Sequence, residues 1–259
     1  MKPAITIPRI STFWLRQFTA YNRRYLRRHF ASLRILKTGL PRLTNQSTVI
    51  FLNHASWWDP LVCLFLAREF FPERHSFAPI EAAMLRRYRF FKRIGFFGIE
   101  PQSARGARTL LRTGGDLLAS PHNLLWLTPQ GRFADPRERP AQLQSGLGAL
   151  AARLPDAAFL PLAIEYPFWT GSRPEILVSF GTSISRDQLP CDSPNELTRF
   201  LAERLEETQT QLSTHSLGRN PEDWLVLNRG SSGFAGIYGR LLRLRGENVA
   251  PERQPEVAR

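Results

Sequence analysis

The fold is decided by the segment STVIFLNHASWWDPLVCLFLAREFF, residues 47–71. Residues 47–53 are short and apolar, which is typical of a buried strand. A polar turn follows, and residues 60–71 form an apolar run that predicts a helix. Pro60 would stand in its first turn, where the missing backbone N–H costs nothing. This order of strand, turn and helix predicts one unit of a helix-covered parallel sheet.

The same alternation continues along the chain to residue 212. Further strands are predicted at residues 76–80, 96–100, 124–129, 158–166 and 175–181. Further helices are predicted at residues 81–92, 103–119, 145–154 and 194–212, and residues 129–142 form a polar loop. We therefore expect an α/β fold with a mostly parallel central sheet covered by helices.

The N-terminal arm contains a segment without proline or glycine, residues 11–37, which predicts one long helix. Its aromatic residues share one face, and its arginines lie roughly opposite: Trp14, Phe18, Tyr21 and Tyr25 against Arg16, Arg23, Arg27 and Arg34. Opposed faces of this kind are typical of a helix lying in a membrane interface. Packing of the aromatic face on the protein's own core is the alternative.

The net charge of +13 is concentrated in the N-terminal arm. Residues 1–58 contain ten Lys or Arg and no acidic residue, which favours a polyanionic partner. We expect an anionic membrane surface rather than nucleic acid, because the basic and aromatic residues are segregated instead of interleaved. No apolar run approaches the ~18 residues of a spanning helix, and arginines interrupt any signal-peptide core. The expected location is therefore peripheral, at the cytoplasmic face of a membrane.

These patterns divide the chain into three parts. Residues 1–42 are the expected membrane-associating arm, residues 43–215 the α/β domain, and residues 216–259 a C-terminal extension. The extension includes a basic amphipathic piece at 237–246 and an end expected to be disordered. Two cysteines cannot form a disulfide framework, and the scattered histidines predict no metal site.

A histidine and an aspartate flank the turn in the opening segment, within Asn53-His54-Ala55-Ser56-Trp57-Trp58-Asp59. Asp59 followed by Pro60 could serve only to start a helix. Alternatively, the turn could bring the Asp59 carboxylate to one imidazole nitrogen of His54. That contact would fix the tautomer and leave the other nitrogen free as a general base.

The sequence resembles the glycerolipid acyltransferases, the family of glycerol-3-phosphate and lysophosphatidic acid acyltransferases. Their signature is a histidine, four residues and an aspartate, which matches His54 and Asp59. Three further blocks follow in the family's order: Gly95-Phe96-Phe97-Gly98-Ile99, Thr128-Pro129-Gln130-Gly131 and Leu160-Pro161-Leu162-Ala163-Ile164. The resemblance covers residues 45–185.

The resemblance implies an acyltransferase in which His54 deprotonates an acceptor hydroxyl while Asp59 polarises the histidine. The acceptor oxygen would attack an acyl thioester carried by coenzyme A or by acyl carrier protein, without an acyl-enzyme and without a further cofactor. Cys63 lies inside an apolar run, where a thiol is unreactive, which agrees with direct transfer.

The chain departs from the family at two positions. Pro101 stands where the family carries an arginine associated with the acceptor's phosphate, and Gln130 replaces a glutamate. Arg105 or Arg108 could substitute for the arginine, and Arg132 could grip an oxyanion. Gln130, Gly131, Arg132 and Arg105 are therefore the candidate substrate-binding residues, and lysophospholipid or glycolipid acceptors are expected.

Other features leave the function open. The basic and aromatic segment 84–97 could seat the lipid, bind the acyl donor or fill the core. Two rival functions remain: a non-catalytic module that binds lipid or nucleic acid, and an esterase or thioesterase that uses water as acceptor. The missing Gly-x-Ser-x-Gly motif counts against a serine hydrolase.

Overall fold

The computed structural model describes residues 7–42 and 45–230. The strands of this part form one eight-stranded sheet in the order β4-β3-β5-β2-β6-β7-β1-β8. In chain order they are β1 (Ser32–Leu36), β2 (Thr48–Leu52), β3 (His75–Glu81), β4 (Phe96–Ile99), β5 (Asn123–Leu127), β6 (Ala158–Glu165), β7 (Ile176–Phe180) and β8 (Trp224–Arg229).

The helices mostly follow the predicted pattern. They are α1 (Thr12–His29), α2 (Asp59–Phe70), α3 (Ala82–Arg87), α4 (Ala104–Leu118), α5 (Gly146–Arg153) and α6 (Pro194–Gly218), with 3-10 turns at Lys37–Gly39, Arg89–Ile94, Arg186–Gln188 and Pro221–Asp223. Ser103 starts α4 because its Oγ accepts the backbone N–H of Gly106 at 2.9 Å. The expected α/β class with a helix-covered sheet is confirmed.

Most neighbouring strands of the sheet run parallel. Strands β4, β3, β5, β2 and β6 all point the same way. β7 lies antiparallel to β6, β1 runs parallel to β7, and β8 is antiparallel to β1. The carboxyl ends of the five parallel strands therefore meet at one edge, which is where ligands bind in open α/β sheets.

Successive side chains of β2 point to opposite faces of the sheet, and each face carries a hydrophobic core. Ile50 and Leu52 join the core under α1 and α2, together with Leu26 and Phe30. Val49 and Phe51 face the opposite side, where they join the core under α4, α5 and α6. Every residue of β2 is buried, so the sheet excludes water on both faces and β2 holds its carboxyl end rigidly.

The predicted helix over residues 11–37 is wrong over its last part, residues 30–37. Helix α1 ends at His29, and Ser32–Leu36 is strand β1 between β7 and β8. Arg34 consequently leaves the helix and pairs with Glu175 at 3.5 Å. Local sequence lacked a helix breaker, whereas the pairing partners of β1 lie about 140 and 190 residues further along the chain.

Two other elements differ from prediction. The predicted helix 81–92 is the short helix α3 followed by the 3-10 turn Arg89–Ile94, and β8 was missed. β1 comes from the predicted arm 1–42 and β8 from the predicted extension 216–259, yet both belong to the central sheet. Residues 237–246 and the C-terminal end fall outside the described residues. Within the described ranges, no helix combines the length and apolar character that a membrane crossing requires.

Candidate active site

The end of β2 is fixed to its neighbour β6 by the side chain of Asn53. Its Nδ2 donates to the carbonyl of Ile164 at 3.0 Å, and its Oδ1 accepts the Ile164 N–H at 2.9 Å. Asn53 is buried, so these two bonds are shielded from water. They set the position from which the next residue, His54, leaves the sheet.

The loop after β5 holds the backbone of His54 from the other side. The side chain of Gln130 accepts the His54 N–H at 2.7 Å, and the His54 carbonyl accepts the N–H of Ala134 at 2.9 Å. Phe133 lies against the imidazole, with 4.4 Å between ring centroids. The histidine is thus positioned by β2 and by this loop together.

Asp59 is fully buried, and its carboxylate is fully engaged. Its Oδ2 lies 2.7 Å from His54 Nδ1 and accepts the Ser56 N–H at 3.0 Å, while its Oδ1 accepts the Tyr166 hydroxyl at 2.6 Å. These partners all lie outside α2, the helix that Asp59 begins. The carboxylate therefore orients the histidine and does not act as a cap for α2.

The pairing determines what the imidazole can do. A carboxylate only accepts hydrogen bonds, so Nδ1 of His54 must donate to Asp59, and Nε2 is left as the basic atom. Nε2 has no hydrogen-bond partner among the described residues, and the histidine lines a large cavity. This arrangement provides a general base that an acceptor hydroxyl could approach.

The cavity has a volume of about 760 Å³ and opens at the carboxyl edge of the sheet. It runs between α2, the strands β3 to β5 and the first turns of α4. Most of its wall is apolar, including Leu52, Pro60, Cys63, Leu64, Ala67, Phe77, Ala78, Ile80, Phe96, Ile99, Leu110 and Trp126. Its volume and its lining suit a large apolar group rather than a small polar metabolite.

Two groups around Asp59 are held in their neutral forms. Burial raises the pKa of the Cys63 thiol well above its usual value, and the nearby charge of Asp59 raises it further. Burial and the same carboxylate raise the pKa of the Tyr166 hydroxyl well above its usual value. Cys63 is therefore a protonated thiol and a poor nucleophile, and Tyr166 is a hydrogen-bond donor.

The structure brings together most of the predicted site residues. His54, Asp59, Gly131 and Arg132 line the cavity. Gly131 has a left-handed φ of 66°, which favours glycine and turns the loop at the cavity wall. Gln130 lies behind the histidine and bonds its backbone instead of facing the cavity.

Arg105 is not among the residues that line the cavity. Ser103, Ala104, Gly106 and Ala107 form that wall, so Arg105 falls on another side of α4. Its guanidinium is largely exposed and lies 3.3 Å from Glu100. Its predicted part in substrate binding would require the side chain to move.

Sequence reasoning missed Tyr166 and Phe133. The available signal for Tyr166 was its place directly after a strand that ends at the ligand-binding edge. Phe133 lay in a polar loop whose folding over His54 was not readable from spacing. The described residues contain no cluster of side chains that could hold a metal ion.

Comparisons with known proteins identify the family and the fold. A protein-family model described as acyltransferase matches residues 19–165, which include both members of the His–Asp pair. The chain is similar to the crystal structure of PlsC, the 1-acyl-sn-glycerophosphate (LPA) acyltransferase from Thermotoga maritima. The TM-score is 0.52 at 14% sequence identity, and the match covers 77% of this chain and 79% of PlsC.

At that identity the likeness to PlsC establishes the fold alone. No curated protein matches the chain. The family model spans more than half of the chain, and it confirms the family that the four sequence blocks predicted. The chain belongs to the acyltransferase family and is an acyltransferase enzyme.

Proposed function

We propose that this protein transfers a fatty acyl group from a thioester donor, acyl-CoA or acyl carrier protein, to the hydroxyl of a lipid acceptor. The observation that carries the proposal is the His54–Asp59 pair at the wall of a large, mostly apolar cavity. PlsC, which shares the fold, is by its name an acyltransferase for 1-acyl-sn-glycerophosphate (LPA).

His54 Nε2 takes the proton of the acceptor hydroxyl as the oxygen attacks the thioester carbonyl carbon. The tetrahedral intermediate collapses with cleavage of the carbon–sulfur bond, and the thiolate receives the proton from His54. The charge of Asp59 stabilises the imidazolium that exists between these two transfers. The acyl group never bonds to the protein, so the neutral thiol of Cys63 agrees with this route.

The acceptor that we propose is a lysophospholipid or glycolipid alcohol without a phosphate monoester beside the reacting hydroxyl. Pro101 offers no charge, Arg105 pairs with Glu100, and Arg132 pairs with Glu138. Glu81 and Glu100 both line the cavity and would repel a dianionic phosphate.

We further infer that the enzyme docks on an anionic membrane through an aromatic surface beside the cavity. This surface consists of the exposed rings of Phe13, Trp14, Tyr21, Trp57 and Tyr88. Ring contacts connect α1 to the site, from Tyr21 through Tyr25 and Trp58 to Trp57. Rings of this kind sit at headgroup depth, while the exposed arginines of α1 attract anionic lipid. The cytoplasmic face and the absence of a nucleic-acid partner remain predictions.

The proposal is tested by His54→Ala in an assay of thiol release from acyl-CoA or acyl carrier protein. A general base contributes about 10²–10⁴-fold, so the variant should lose at least about 100-fold in kcat. Activity within a few-fold of the wild type would exclude this mechanism. His122→Ala, in the turn before β5, is a matched histidine control.

The acceptor is identified by offering lipid alcohols with and without a phosphate monoester. We expect lysophosphatidic acid to be a poorer acceptor than a lysophospholipid diester or a lysoglycolipid. A clear preference for lysophosphatidic acid that Arg132→Ala or Arg105→Ala removes would contradict our assignment. If release of free fatty acid exceeds acyl transfer at saturating acceptor, the protein acts instead as a thioesterase.

Docking is tested by flotation with vesicles of phosphatidylglycerol and of phosphatidylcholine. The double variant Trp14→Ser/Tyr21→Ser should float much less with the anionic vesicles, whereas Leu217→Ser, an exposed apolar residue on α6, should float like the wild type. Equal flotation of both variants would show that the aromatic surface is not the docking surface.

A further inference from the structure

Tyr166 stands one residue beyond β6 and reaches the catalytic carboxylate. Its hydroxyl donates to Asp59 Oδ1 at 2.6 Å, while Oδ2 of the same carboxylate faces His54 and Ser56. The carboxylate thus has a donor on each oxygen, which a fully buried charge requires. Neither the family's four sequence blocks nor the comparisons assign a role to this tyrosine.

The position of Tyr166 is tied to that of His54 through the sheet. β2 and β6 are paired in parallel, with Leu52 opposite Leu162, and Asn53 bonds both backbone groups of Ile164. Tyr166 follows Ile164 by two residues, so the two strand ends carry the histidine and the tyrosine as one rigid unit. The ring of Phe30 packs on Tyr166 with 5.7 Å between centroids.

We propose that Tyr166 is a positioning residue of the acyl transfer, which keeps the Asp59 carboxylate aimed at His54 Nδ1. Asp59 can rotate about its side-chain bonds unless both of its oxygens are held. The Tyr166 hydroxyl holds the oxygen that His54 does not use. The inference rests on the proposed function, because it assigns Tyr166 a task within the His54–Asp59 mechanism.

Loss of the Tyr166 hydroxyl should change the pH dependence of kcat and kcat/KM. Loss of the donor makes the buried negative charge of the pair less favourable, so the pair should take up a proton at a higher pH. The other titratable or charged groups that line the cavity with the pair are Cys63, Glu81, Glu100 and Arg132, and Arg132 is paired with Glu138. None of them hydrogen bonds to Asp59 Oδ1, so removal of the Tyr166 hydroxyl breaks none of their hydrogen bonds.

The test is the pH profile of kcat and of kcat/KM for Tyr166→Phe in the full-length protein. We expect a loss of about 10-fold in kcat at pH 7 and an upward shift of the acid limb by roughly one pH unit, with KM nearly unchanged. Phe30→Leu is the packing control, because it loosens the contact with the Tyr166 ring and keeps the hydroxyl. It should lower the melting temperature while leaving the acid limb in place.

Three variants together distinguish a failure of the Tyr166 inference from a failure of the proposed function. If His54→Ala is inactive but Tyr166→Phe keeps the wild-type kcat and acid limb, the role of Tyr166 is refuted and the mechanism stands. If Phe30→Leu shifts the acid limb as far as Tyr166→Phe, the tyrosine acts through packing alone and the inference is also overturned. If His54→Ala remains active, the proposed function fails first.

Discussion

Replacement of Asp59 by asparagine tests the charge of the pair while keeping its shape. The amide oxygen can still accept from Ser56 N–H and His54 Nδ1–H, and the amide nitrogen can donate to the Tyr166 oxygen. The fold should therefore persist. The variant loses only the negative charge that, in the proposed mechanism, stabilises the imidazolium in the transition state.

The distance of 2.7 Å between His54 Nδ1 and Asp59 Oδ2 allows the expected decrease in kcat to be estimated. The charge centres are then about 4 Å apart, where opposite charges attract by about 4 kcal/mol at an effective dielectric constant near 20. A loss of about 4 kcal/mol corresponds to a decrease in kcat of about 10³-fold. We expect KM for the acyl donor to change little, because the Asp59 side chain has no exposed surface and asparagine keeps its shape.

The assay is the initial rate of thiol release from the acyl donor in the presence of acceptor vesicles, with thermal unfolding followed by circular dichroism. Asp116→Asn is the matched control, because Asp116 is exposed on α4 and remote from the pair. A folded Asp59→Asn variant with kcat within about five-fold of the wild type would refute the electrostatic reasoning.

Two further predictions concern covalent chemistry and stability. Incubation with acyl donor in the absence of acceptor should leave the intact mass of the protein unchanged, because burial keeps the thiol of Cys63 protonated; an acylated protein would contradict direct transfer. Burial raises the pKa of Glu165, so the folded state binds the proton of this carboxyl more tightly than the unfolded state does. The free energy of unfolding therefore falls as the pH rises from the ordinary pKa of a glutamate through the raised pKa. Glu165→Gln should therefore melt at a higher temperature than the wild type at pH 8. The two should melt at the same temperature below about pH 3, where the carboxyl is neutral in both states. An equal difference at both pH values would contradict this explanation.

Several elements were predictable because their signals are local. The apolar run 47–53, the proline at position 60 and the cap at Ser103 predicted β2, α2 and α4 close to their observed bounds. β1 and β8 were not recognised as strands, because each is stabilised by pairing with residues far away in the chain. Strand propensity depends on such neighbours more than helix propensity does.

The site also combines features with a local sequence signal and features that depend on contacts between distant residues. The spacing of His54 and Asp59 within one turn predicted their contact, since five residues are enough to bring the carboxylate back to the imidazole. Gln130 lies buried behind the histidine because of the way the loop after β5 packs. Arg105 lies outside the cavity because of the way helix α4 packs. Neither was readable from residue types.

The sequence by itself indicated the class of fold through strand and helix periodicity, the family through the resemblance of four short blocks, and the contact of His54 with Asp59 through their spacing. Each of these signals operates over a few residues. Only the tertiary structure decided which groups surround that pair. Tyr166 reaches Asp59 across 107 residues of chain because β2 and β6 are paired in parallel with a fixed register. That register is set by side chains buried on both faces of the sheet, a property of the assembled core that no short segment carries.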